Sequence, residues 1–104
     1  MDKHINIYKY PLEPIHLYAT SLTLPADSKV LSVGVQNNIP VVWINTLPLE
    51  PGAKPTSSDT MVFTITCVWT GKLAVLDMFA EYIGTAQLLI DDQPIVCHYY
   101  LTIN

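Results

Sequence analysis

The sequence predicts an all-β domain of about seven mostly antiparallel strands, folded as a small sandwich or partly closed barrel. Polar and apolar residues alternate with a period of two in segment after segment. Turn-forming residues interrupt those segments every ~8–12 residues. β-branched and aromatic residues fill the stretches between the turns.

The first strand is read over His4 to Tyr10, with Ile5 and Ile7 pointing one way and Asn6, Tyr8 and Tyr10 the other. Pro11 and Pro14 bracket a turn, because proline donates nothing to a ladder and restricts the residue before it. Ile15 to Leu24 resumes as a strand, and Pro25-Ala26-Asp27-Ser28 turns the chain. Lys29 to Gln36 alternates again, placing Leu31, Val33 and Val35 on one face. Asn37-Asn38 then suits a tight hairpin, since asparagine tolerates positive φ. Ile39 to Leu47 is the returning strand, and Pro40 puts its start beyond the turn or its position at an edge.

Residues 48 to 60 hold three prolines, a glycine and a cluster of hydroxyls, which reads as one long loop. Met61 to Thr70 follows as a central strand, with Met61, Phe63, Ile65, Cys67 and Trp69 on one face. Gly71 ends it. Lys72 to Phe79 fits either a short helix, through the spacing of Leu73, Leu76 and Phe79, or an irregular crossover. Glu81 to Ile90 is the sixth strand, with a bulge or bend expected at Gly84. Asp91-Asp92 forms a hairpin turn into the last strand, Pro94 to Ile103.

A chain of 104 residues has room for a single domain, residues 1–104, with one core. Half of the residues are hydrophobic and only 13% are charged, below the quarter or so usual for soluble proteins. Part of the apolar surface is therefore expected to be covered by another copy, as a homo-oligomer. Five lysines face nine carboxylates, no arginine is present, and the net charge is −4. That balance excludes binding to nucleic-acid polymers, whose affinity comes from neutralising phosphates. Met1 to Tyr10 has no continuous apolar stretch of the export type, and no apolar run approaches the ~20 residues of a membrane helix. A cytoplasmic location with no membrane partner is expected, and with it free, buried thiols at Cys67 and Cys97.

No arrangement of residues points to catalysis, a metal or a cofactor. His4, His16 and His98 have no ligand partners at metal-site spacing. Cys97 and His98 are adjacent, so on a strand they face opposite sides. The four glycines form no phosphate loop, and Asp91-Asp92 is a turn former. Acid–base chemistry would find only His16 and His98 to use. Binding is the better class. Six tyrosines and two tryptophans against two phenylalanines favour surfaces that combine an apolar face with a polar handle, and Lys9 or Lys72 could meet a ligand's charge.

Several segments match in order. Ile7-Tyr8-Lys9-Tyr10-Pro11-Leu12 opens the chain, followed by Leu24-Pro25, Leu31-Ser32-Val33 with Gln36, and Pro40-Val41-Val42-Trp43. Glu81 to Gln87 (Glu-Tyr-Ile-Gly-Thr-Ala-Gln) and His98-Tyr99-Tyr100 come late. In these the chain resembles a family of small bacteriophage-encoded proteins of unknown function. It departs from that family at Thr70-Gly71-Lys72-Leu73, where a Gly/His/Pro-rich turn is usual, and at Cys97, where a Trp often stands. The resemblance implies a phage origin, and by analogy of size and context a sponge that sequesters a nucleotide immune signal of the infected bacterial host. The expected ligand is a cyclic or ADP-ribose-type nucleotide, held by Tyr8, Lys9, Tyr10, Trp43, Tyr82, Thr85 and His98. The alternative is an interaction module that docks on a host or phage protein through a strand edge or loop 48–60.

Overall fold

The computed structural model describes residues 5–46 and 60–104. The expected first residue of the opening strand, His4, and residues 48–59 of the proline-rich loop lie outside this range. Seven strands are formed: β1 (Ile7–Pro11), β2 (Ala19–Pro25), β3 (Lys29–Gln36), β4 (Ile39–Asn45), β5 (Thr60–Trp69), β6 (Glu81–Ile90) and β7 (Gln93–Ile103). They make two sheets, a three-stranded one in the order β1-β4-β3 and a four-stranded one in the order β2-β5-β7-β6. Every pair is antiparallel. The described residues form an all-β sandwich, with no helix and no closed barrel.

Both hairpins form where the turn chemistry predicts them. Asn37 and Asn38 have φ of 51° and 60°, and Asp91 and Asp92 have 50° and 63°. Two successive positive-φ residues make the tight turn whose twist matches the flanking strands. Asn38 also holds the other hairpin, since its side chain donates to Leu89 O at 2.6 Å and accepts from Leu89 N at 2.9 Å.

The core lies between the sheets, where Val42 and Ile44 of β4 meet Phe63, Ile65 and Cys67 of β5 and Cys97, Tyr99 and Leu101 of β7. The period-two reading of β5 is correct, because Phe63, Ile65 and Cys67 are all buried on one face. Ala86 and Leu88 of β6 complete the wall. Tyr99 satisfies its hydroxyl by donating to Glu13 O at 3.1 Å, so a polar tip is buried without an orphaned group.

Three sequence expectations change. Leu31 does not share a face with Val33 and Val35. A bulge between Val30 and Ser32 adds one residue to β3, which reverses the alternation there. Val30 and Val33 pack on the core while Leu31 is 50% exposed. Strand β2 begins at Ala19 rather than Ile15, because Tyr18 N bonds Ile15 O in a turn that carries Leu17 to φ 64°. Residues 72–79 are the irregular crossover and not a helix. The segment is too short to offset the cost of nucleation, and Asp77 Oδ1 accepts from Phe79 N at 2.8 Å, a local bond that competes with helix.

Cys67 and Cys97 are free and fully buried. Burial, reinforced by the adjacent Cys97 thiol, pushes the Cys67 thiol from 9.0 up to about 12, and burial moves the Tyr99 hydroxyl upward too. The folded state thus holds these protons more tightly than the unfolded chain. Their contribution to stability is complete below pH 9 and is lost as pH rises from 9 toward 12. Melting temperature is expected to fall across that window, and Cys67→Ala to shallow the slope. An unchanged slope in the variant would contradict the assignment.

Candidate functional site

The outer face of the four-stranded sheet collects most of the polar chemistry. Register places Thr85 beside His98 and Tyr82 beside Tyr100 across β6 and β7, and His98 beside Val68 across β7 and β5. In a regular strand Tyr82 and Thr85, three apart, would face opposite sides. The register shift between Tyr82 and Gly84 puts them on the same side, which is what a single extra residue does.

A hydrogen-bonded chain follows. Tyr82 OH meets Thr85 Oγ1 at 2.5 Å, Thr85 Oγ1 meets His98 Nδ1 at 2.9 Å, and His98 Nε2 meets Thr70 Oγ1 at 2.7 Å. Hydroxyls donate or accept as required, so both ring nitrogens are satisfied whichever tautomer the imidazole adopts. Tyr82 also meets the edge of Tyr100, their ring centroids 5.7 Å apart.

Beside this chain an open cavity of about 360 Å³ separates the sheet from the 72–80 segment. Val68 and Tyr100 form its floor, and Lys72, Ala74, Leu76, Asp77 and Ala80 form the remaining wall. Its volume lies at the small end of ligand sites, ~300–1,000 Å³. His16 secures the mouth. Its Nδ1 accepts from Trp69 N at 3.0 Å and its Nε2 donates to Leu73 O at 3.1 Å, so both ring nitrogens are committed to the backbone and the ring serves as a clamp.

The seven sequence-derived candidates fall on three surfaces. Tyr82, Thr85 and His98 come together here. Lys9 and Trp43 are register partners on the outer face of the other sheet, where Lys9 Nζ donates to Gln36 Oε1 at 2.6 Å. Trp43 lies over Gly34, and a Cβ at that position would sit 2.8 Å from the indole ring. Tyr8 and Tyr10 pair with Ile44 and Val42 and thus face inward from edge strand β1, with Tyr10 packed on the core. A single small ligand does not span these surfaces. Sequence reasoning passed over Thr70, Tyr100 as a site residue, and the cavity itself. Once β5 and β7 are paired, Val68 lies opposite His98 and Thr70 follows two residues on with the same parity, which is the signal that would have found Thr70.

Among the described residues no helix is long and apolar enough to cross a membrane. A family described as a domain of unknown function, DUF7352, matches residues 3–104. No curated protein and no solved structure matches the chain.

Proposed function

The chain belongs to this DUF7352 family of unknown function, and from that premise we propose that it is a binding protein that captures a nucleotide-type small molecule on the outer face of the four-stranded sheet. The observation that carries the reading is the continuous Tyr82–Thr85–His98–Thr70 chain beside an open cavity of about 360 Å³. Tyr100 and Tyr82 supply aromatic surface for a base. Lys72, in the cavity wall, supplies a cationic group suited to a phosphate. Net charge matters less than these contacts, because solvent screens distant carboxylates beyond about 8–10 Å, although Asp77 stands in the same wall as Lys72. The resemblance to phage-encoded proteins supports the biological half of the reading, the sequestration of a host immune signal in the bacterial cytoplasm.

Calorimetry against a panel of cyclic nucleotides and ADP-ribose derivatives tests it. At least one ligand is expected to bind and to be recovered intact after the protein is denatured. His98→Ala and Tyr100→Ala are each expected to weaken binding by about tenfold or more, since losing the hydrogen-bonded chain or a stacked base costs roughly 1–3 kcal/mol. No heat with any ligand, or unchanged affinity in both variants, removes the proposal. A second reading, docking on a host or phage protein through a strand edge, draws on edge strand β1, where Ile7 and Tyr8 are exposed. Biological activity that survives both cavity variants would favour it.

A further inference from the structure

The 72–80 segment has a second face. Its inward residues Ala74 and Leu76 wall the cavity, while Leu73, Val75, Met78 and Phe79 are 87%, 88%, 86% and 80% exposed. Single exposed apolar residues are ordinary, but four large ones within seven positions form a contiguous patch of the kind that marks an interface. Exposure alternates from Leu73 to Asp77, and among the described residues the backbone N–H groups of Leu73 to Leu76 have no hydrogen-bond partner.

The patch continues onto a neighbouring turn. His16 bonds Leu73 O, which brings exposed Ile15 and Leu17 alongside. Leu17 has φ 64°, a conformation unfavourable for a branched side chain. It is held there by the bond from Leu17 N to Cys67 O at 2.7 Å. Backbone strain that leaves an apolar side chain in water is a common mark of a working surface.

We propose that this patch is the contact surface for a second copy of the chain, related by a two-fold axis that sets the two 72–77 segments antiparallel. Charge favours this occupant. Lys72 stands at one end of the segment and Asp77 at the other, so an antiparallel two-fold brings each lysine toward the partner's aspartate. An isologous contact requires that self-complementarity. An anionic membrane is a poorer fit, because one lysine faces an exposed aspartate on a chain of net charge −4. Six large side chains at about 100 Å² each cover most of the ~800 Å² per partner of a standard interface. The dimer would place the outer side of each cavity wall at the junction between copies. It shares Lys72 and Asp77 with the cavity wall but does not require that a ligand bind there.

Sedimentation velocity on the full chain over a dilution series is the test. The wild type is expected to be a dimer that dissociates on dilution. Val75→Asp, at a solvent-exposed position that leaves the cavity lining intact, is expected to weaken the dimer by tenfold or more, as for a central interface residue, with an unchanged melting curve. Lys72→Asp is expected to weaken it, and Lys72→Asp combined with Asp77→Lys to restore it. A monomer at every concentration, a dimer indifferent to Val75→Asp, or wild-type binding to lipid vesicles that Val75→Asp abolishes would each overturn the proposal. Ligand heats measured on Val75→Asp separate this outcome from the fate of the ligand site.

Discussion

Phe63→Ala is expected to destabilise the domain by about 3–5 kcal/mol, the range for truncating a buried phenylalanine. Phe63 is fully buried at the middle of the four-stranded sheet, paired with Leu22 on one side and Ile103 on the other. Truncation removes the ring's transfer free energy and leaves a cavity between two sheets that cannot easily collapse onto it. A domain of this size has only ~5–15 kcal/mol of total stability, so a large part of it goes with one side chain. Melting temperature is expected to drop by about 12 °C or more, at roughly 4–8 °C per kcal/mol. Leu31→Ala is the control. The bulge turns Leu31 to solvent, and its loss should cost under about 0.5 kcal/mol. Equal melting shifts in the two variants would show that the inward and outward faces have been misassigned.

Gly84→Val is expected to damage stability and site together. A Cβ at Gly84 would sit 2.7 Å from Val33 Cβ and 3.4 Å from Val33 N. Those atoms belong to the stem and backbone of a strand in the other sheet, and neither can swing aside. Gly84 also has φ 157°, at the margin of what side chains adopt. Overpacking costs about 1–3 kcal/mol, and backbone strain adds on the order of 1 kcal/mol or more. Relief requires β6 to move away from β3, the very stretch whose bulge brings Tyr82 and Thr85 to one face. The His98 ring signals in an NMR spectrum should therefore shift, and any ligand heat should fall along with the melting temperature. A variant that melts like wild type with unmoved His98 signals would show that the close approach to Val33 is not a constraint.

Much of the fold was legible because it is local. Lys29–Gln36 and Glu81–Ile90 were read to the residue, and Asn37-Asn38 and Asp91-Asp92 announced their turns through positive-φ tolerance. Leu31 was misread because an extra residue in β3 changes no composition yet inverts the alternation after it. The seven site candidates were chosen by residue type, and type does not reveal face. Lys9 and Trp43 went to one sheet's exterior, Tyr8 and Tyr10 to its interior side, and Tyr82, Thr85 and His98 to the other sheet.

The amino-acid sequence by itself determined the seven strands, both hairpins, the buried face of β5 and the absence of a nucleic-acid-binding charge balance. These follow from side-chain periodicity, backbone torsion preferences and charge, all of which act over a few residues or over the whole composition. Only the tertiary structure decided which sheet each strand joined, that Thr70 and Thr85 flank one imidazole, and that the 72–80 segment turns half its apolar side chains to solvent. Those outcomes depend on strand order and on single-residue bulges, which bring together positions such as Thr70 and His98, 28 residues apart, that no local pattern relates.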